Sequence, residues 1–281
     1  MSNDQPHLPS RRQMLGLLGG LGVVVAVGCG DDSASTGAAA PSTAAPSATT
    51  ATTAADTTAG ATSTTAASST AVTSCSKIPE ETAGPFPGDG TNGPNVLTQS
   101  GVVRSDIRSS FGTAKGVATG VPLTINLTVV DSKNGCKALA GAAVYLWHCD
   151  INGLYSMYSQ GVTSENYLRG VQSTDGNGAV SFASIFPAAY SGRWPHIHFE
   201  VFSNAASATN GQNKIAVSQM ALPEDVCKAV FATNGYSQSV KNLAQTSLKT
   251  DNVFGDGVSL QTPTMTGSTS AGYVAKMLVA V

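Results

Sequence analysis

Five short runs after residue 120, at residues 123–130, 142–147, 179–182, 197–202 and 215–220, alternate apolar with polar or small residues. Successive side chains of a strand point to opposite faces, so this period of two describes strands with one buried face. Turn-rich segments at 131–135, 150–153 and 175–178 lie between or beside them. Strands this short and this regularly interrupted predict an all-β fold, an antiparallel β-sandwich with long loops. One short helical segment is expected from Pro223-Glu224-Asp225 through residues 226–231, because proline and acids suit a first turn. Closing strands are expected at 257–262 and 273–279.

The sandwich must be built from residues 75–281. Residues 33–74 are almost wholly Ala, Thr, Ser, Gly and Pro, with Asp56 the only charge and no aromatic residue, and such a tract cannot bury a core. It reads as a flexible stalk, residues 30–74, with a coil reach of about 35–40 Å. Ahead of it, Ser10-Arg11-Arg12-Gln13-Met14-Leu15 leads an apolar run to Val27. That run is 14 residues long, short of the ~20 a bilayer-spanning helix needs, so residues 1–29 read as a twin-arginine (Tat) export signal. Ala26-Val27-Gly28-Cys29 resembles a bacterial lipobox, which makes Cys29 the expected lipidation site of an exported, membrane-anchored lipoprotein. With 11% charged residues and a net charge of −2, the chain offers no basic surface for nucleic acid. Besides Cys29 there are Cys75, Cys136, Cys149 and Cys227, with no C-x-x-C pair to suggest zinc or dithiol chemistry. If 142–147 is one extended strand, it holds Cys136 and Cys149 too far apart to bridge.

His196 and His198 are two apart on an expected strand, so both imidazoles share a face and can meet one metal ion. The pair alone does not choose among zinc, copper and iron. Glu200 continues the same face, but the strand rise carries it roughly 13 Å from His196, which makes it a structural or solvated carboxylate rather than a third ligand. Tyr155 and Tyr190 each follow a strand-like run and a turn, so each can point into a common pocket at the end of the sheet. As isolated residues they are equally consistent with half-buried aromatics.

Five ordered blocks narrow these alternatives: Glu81-Thr-Ala-Gly-Pro-Phe86; Arg104-Ser-Asp-Ile107; Trp147-His-Cys-Asp with Gly153-Leu-Tyr155-Ser; Leu168-Arg-Gly-Val-Gln-Ser-Thr-Asp175; and Ile185-Phe-Pro-Ala-Ala-Tyr190 through Pro195-His-Ile-His198-Phe. In these the chain resembles the intradiol ring-cleavage dioxygenases. The resemblance implies a non-haem iron(III) cofactor (Fe3+) held by Tyr155, Tyr190, His196 and His198, with catechols and dioxygen as substrates and muconate-type diacids as products. It further implies that Tyr190 leaves the metal and takes up a proton when substrate binds. Arg193 would stabilise negative charge on the substrate, Gln219 would match an active-site glutamine, and Pro85 would line the substrate pocket. Trp147 and His148 are expected to pack rather than ligate.

The chain departs from the family in two places. The N-terminal helical dimerisation region of catechol 1,2-dioxygenases is replaced by the stalk, and the loop 189–193 lacks a longer insertion. Neither the oligomeric state nor the particular catechol is therefore implied; an exported enzyme of broad catechol range is expected. Two rival readings predict a colourless protein: a non-catalytic binding module, and another metal enzyme built on His196 and His198 without the tyrosines.

Overall fold

The computed structural model describes residues 75–281, so the expected signal, Cys29 and the stalk lie outside the described residues. Nine strands form two sheets: β1 (Pro122–Asp131), β2 (Lys137–Ala138), β3 (Ala143–Trp147), β4 (Arg169–Ser173), β5 (Ala179–Ile185), β6 (His196–Phe202), β7 (Ala216–Ala221), β8 (Thr264–Ser268) and β9 (Gly272–Ala280). The five-stranded sheet runs β2-β1-β9-β8, with β5 also on β1, and the four-stranded sheet runs β4-β3-β6-β7. Leu123, Ile125, Leu127 and Val129 of β1 bury their alternate face against Val144 and Leu146 of β3 and Ile197, Phe199 and Val201 of β6. That interdigitated layer is the core of a sandwich.

One pairing departs from the antiparallel expectation, since β1 and β9 run parallel while every other strand pair is antiparallel. Parallel neighbours need a long crossover rather than a hairpin. The connection between them is the whole chain from β2 to β8, which includes the four-stranded sheet and, after β7, α1 (Glu224–Phe231) and α2 (Ser237–Leu243). The strand expected at 257–262 is a turn instead, in which Gln261 N and Thr262 N both donate to Val258 O. Pro263 then interrupts, and pairing resumes two residues past the expected end, in β8.

Every residue of β3, β6 and β7 is buried, so alternation fails on the four-stranded sheet. Its outer face is roofed by long loops: Val96, Leu97, Val102 and Tyr155 pack there against Ala143, Tyr145, Trp147 and Phe202. A half-polar face under such a roof must satisfy its polar groups internally. His196, His198, Glu200 and Gln219 all lie in strands of this sheet and are fully or nearly fully buried.

Cys75 is disulfide-bonded to Cys136 across a sequence separation of 61, and among the described residues Cys149 and Cys227 are free and buried. Cys136 and Cys149 are unpaired with one another, as the strand between them requires. On chain-entropy scaling a loop of this length is worth about 4 kcal/mol.

Candidate metal centre

His196 opens β6 and His198 follows two residues on, with ring centroids 4.7 Å apart and Nε2 atoms 3.1 Å apart. The His196 Nδ1 faces the Trp194 carbonyl oxygen at 2.5 Å. A carbonyl only accepts, so Nδ1 carries the proton and Nε2 presents its lone pair. His198 is cross-strand from Trp147 on β3 and from Gln219 on β7, and the Trp147 ring stacks on it at 4.9 Å. Gly84 closes over the same ring. Its φ is +72°, and a Cβ there would stand 3.1 Å from His198 Cε1.

Tyr155 arrives from the turn after β3. The Asp150 carboxylate caps that turn by accepting from Asn152 N at 2.8 Å and Leu154 N at 3.0 Å, while Tyr167 Oη donates to it at 3.0 Å. Gly153, at φ +79°, leaves room for Tyr190, whose Cβ would lie 2.9 Å from any Cβ at that position. The Tyr190 segment is gripped by α2: Ser239 Oγ accepts from Ala189 N at 3.1 Å and Asn242 Nδ2 donates to Ala189 O at 2.8 Å. The result is convergence. Tyr155 Oη is 3.5 Å from both Tyr190 Oη and His196 Nε2, and Tyr190 Oη is 3.2 Å from His196 Nε2.

Two phenol oxygens and two imidazole nitrogens thus surround one point. Donors about 2 Å from a common ion sit roughly 2.8–3.3 Å apart in octahedral or tetrahedral arrangements, close to the 3.1 to 3.5 Å spacings here. Burial pushes His196 down to about 3 and His198 well below the usual imidazole range, so both rings are neutral, the form that ligates a metal. Burial pushes the Tyr155 phenol up and Tyr190 to about 12. A cation between them would favour the phenolates against this burial, so the donor set fits a strongly Lewis-acidic ion.

A sequence profile for a family described as Dioxygenase matches residues 92–195, which include Tyr155, Tyr190 and Arg193 and stop one residue short of His196. Catechol 1,2-dioxygenase 1 of Acinetobacter lwoffii is 30% identical over 113 residues, covering 34% of this chain and 36% of that protein. The chain therefore spans about a third of the length of the curated relative it matches. An intradiol ring-cleavage dioxygenase from Tetranychus urticae superposes over 73% of this chain and 94% of its own, at 25% identity and a TM-score of 0.58. The domain is similar to these dioxygenases in sequence over its middle third and in fold over most of its length. A second solved dioxygenase, 24% identical with a TM-score of 0.58 over 73% of this chain and 94% of that one, shares the fold.

Arg193 reaches the edge of this donor set, with Nη1 3.5 Å from His196 Nε2. Its Nη2 donates to Gln219 Oε1 at 2.7 Å, and Gln219 Nε2 donates to the Thr82 carbonyl at 2.8 Å. Glu200 stays outside the set, as its distance required, but it is not solvated. It is fully buried, its oxygens have no hydrogen-bond partner among the described residues, and Lys214 Nζ is 3.6 Å away. Burial and nearby Asp89 push it up to about 8. His148 is buried between the Cys149 carbonyl and Ser184 Oγ, so it packs rather than ligates. Pro85 is exposed, and its neighbour Gly84 is the residue against His198. Sequence reasoning chose Pro85 rather than its neighbour Gly84, and it missed Asp251, which accepts from Arg193 Nε, and Phe254, whose ring lies 5.7 Å from the guanidinium; the Gly-Pro dipeptide was the one available signal, and only for Gly84.

Proposed function

We propose that the protein is a non-haem iron(III) intradiol dioxygenase that opens catechols between their two hydroxylated carbons and incorporates both atoms of dioxygen to give cis,cis-muconate-type diacids. The convergence of Tyr155, Tyr190, His196 and His198 on one point carries this reading, and the related folds support it. Bound there, a ferric ion would supply the Lewis acidity that draws both catechol oxygens into contact. The chain's residues do the rest. Tyr155 is 1% exposed and hemmed in by Phe86 and Tyr190, so it serves as the fixed phenolate. Tyr190 is only partly buried and can swing, and the burial that raises its phenol favours Tyr190 Oη accepting a proton from a substrate hydroxyl. Arg193 Nη1 sets a fixed positive charge beside the same point, where negative charge grows on the ring. Gln219 holds the other arm of the fork.

The test is a panel of catechols incubated with iron-loaded protein under oxygen. Colourless diacids are expected from catechol and several substituted catechols, and a yellow semialdehyde would mean cleavage beside the diol and overturn the reading. Arg193→Ala should keep near-normal iron and lose about 10²–10³ in turnover, the usual effect of removing one such electrostatic group. Wild-type turnover in that variant would remove the charge-stabilising role.

We further infer that the domain works outside the cytoplasm on a lipid anchor at Cys29. The twin-arginine motif and the lipobox support this, as does the Cys75–Cys136 disulfide, a cross-link that persists in oxidising compartments. Cell fractionation should find the wild-type chain with membranes and Cys29→Ala released; unchanged membrane association of the variant would sink the anchor.

A further inference from the structure

Arg193 can swing about its long stem unless something else fixes it, and the fixing group is 58 residues away in sequence. Arg193 Nε donates to Asp251 Oδ2 at 2.9 Å. With Nη2 committed to Gln219, Nη1 is left as the nitrogen turned to the four donors. Asp251 is 2% exposed and its carboxylate is fully used. Oδ2 also accepts from Trp194 N at 2.7 Å, and Oδ1 accepts from Val253 N at 2.9 Å and Phe254 N at 3.1 Å. Burial opposes ionisation of this group, but the guanidinium and the backbone N–H donors outweigh it and hold the carboxyl below its usual range.

The same carboxylate therefore touches three parts of the site. It sets the direction of the Arg193 fork. It fixes the peptide of Trp194, whose carbonyl in turn orients His196. It also anchors Phe254, whose ring stands 5.7 Å from the Arg193 guanidinium carbon and 6.4 Å from the His196 ring. A guanidinium with one arm on a neutral amide and one on a buried carboxylate has little freedom left, and fixed charge is what charge stabilisation requires.

We propose that Asp251 is a positioning residue for Arg193, aiming Nη1 at the place beside Tyr155, Tyr190, His196 and His198 where the substrate ring would lie. This rests on the reading of the site as an intradiol iron centre. Asp251 bonds to none of the four donor side chains; its effect on the substrate position is carried by the arginine, and its hold on Trp194 and Phe254 is the part that survives when Arg193 is removed.

The experiment is a double-mutant cycle on the full iron-loaded chain, comparing wild type, Asp251→Asn, Arg193→Ala and the double variant. Asparagine keeps the shape, but its Nδ2 cannot accept from Arg193 Nε and Trp194 N. Misaiming by about an ångström commonly costs on the order of 10² in rate, so Asp251→Asn should lose roughly 30-fold in kcat/KM with iron per chain near wild type. In the Arg193→Ala background the same change should cost less than about threefold, because the residue it serves is gone. Equal losses in both backgrounds, or wild-type kcat/KM in Asp251→Asn, would overturn the proposal. The melting temperature of the metal-free variants separates this from a role in folding alone, which would lower it while leaving the kcat/KM of iron-loaded protein intact. If Asp251→Asn does not fold, Asp251→Glu, which keeps the charge on a longer arm, takes its place in the cycle: a loss confined to the Arg193 background supports the role, and equal losses or none overturn it. A wild-type chain that opens no catechol would overturn the reading of the site and the role of Asp251 together; turnover by wild type with Asp251→Asn undiminished overturns the role alone.

Discussion

Arg169→Met is expected to destabilise the domain by about 3–5 kcal/mol, because it strips the donors from several buried neutral acceptors at once, each costing about 1–3 kcal/mol when left bare. Arg169 opens β4, is 1% exposed, and uses every arm of its guanidinium. Nε donates to Ser156 Oγ at 3.1 Å, Nη1 to Pro87 O at 2.7 Å and Tyr145 Oη at 3.0 Å, and Nη2 to Phe86 O and Ser156 O at 2.9 Å each. All these acceptors are neutral, so the side chain works as a clamp and not as half of an ion pair. It joins the four-stranded sheet to two roof segments that frame the candidate site. One carries Phe86, whose ring lies 5.1 Å from Tyr155, and the other carries Ser156, the residue after Tyr155. Methionine fills part of the volume but takes the guanidinium donors from the Phe86 and Ser156 carbonyl oxygens, and an acceptor left bare costs about 1–3 kcal/mol when buried. For a domain of this size each kcal/mol lowers the melting temperature by roughly 2–4 °C. Arg169→Lys restores the charge without the fork and should fall between wild type and methionine. Denaturant midpoints decide it: a loss under about 1 kcal/mol would mean the clamp is redundant. Looser iron binding should accompany the loss of stability, since Tyr155 is held through this clamp.

The sequence made the strands of the sandwich legible where one face is buried and the other is not. β1 is the clear case, alternating along most of its length. β8 is nearly all exposed, so its alternation carries no burial signal. β4 begins Arg-Gly, and nothing local says that its arginine will be buried by carbonyls from two loops. In α2, Ser237–Leu243, two turns of mostly polar residues are too short to display a stripe, although they hold the Tyr190 segment. For the site, the histidine pair followed from the strand period alone, and the strand rise correctly separated Glu200 from it. That Glu200 is buried beside Asp89 rather than solvated depends on the packing of the roof, which has no periodicity to read. The two tyrosines could be matched to the histidines only through the resemblance. Their approach is set by the Asp150 cap and by α2, and the Arg193–Asp251 pair joins loops 58 residues apart.

Tyr155→Phe and His198→Ala are each expected to give folded, iron-poor, nearly colourless protein without detectable ring cleavage. Tyr155→Phe is the cleaner change of the two. The ring keeps its packing against Phe86 at 5.1 Å and Tyr190 at 5.9 Å, and only Oη is lost, an atom whose neighbours are the other donors, at 3.5 Å. Removing it takes away one anionic donor and with it the phenolate-to-iron absorption. His198→Ala removes a neutral donor and also the stack on Trp147, so a modest loss of stability should accompany the loss of metal. Losing an outer-shell partner of a metal ligand typically costs 10–100-fold in affinity, and losing the ligand itself should exceed that. His148→Gln is the matched control: an equally buried imidazole, bonded to the Cys149 carbonyl and Ser184, whose loss should cost stability but not iron. A second readout needs no turnover. A metal that binds only the folded chain raises its melting temperature by mass action, so adding ferric iron to metal-free protein should shift wild type and His148→Gln upward and leave Tyr155→Phe and His198→Ala nearly unmoved. Full iron content and full colour in either variant would remove that residue from the donor set, and an equal upward shift in all four proteins would place the metal elsewhere.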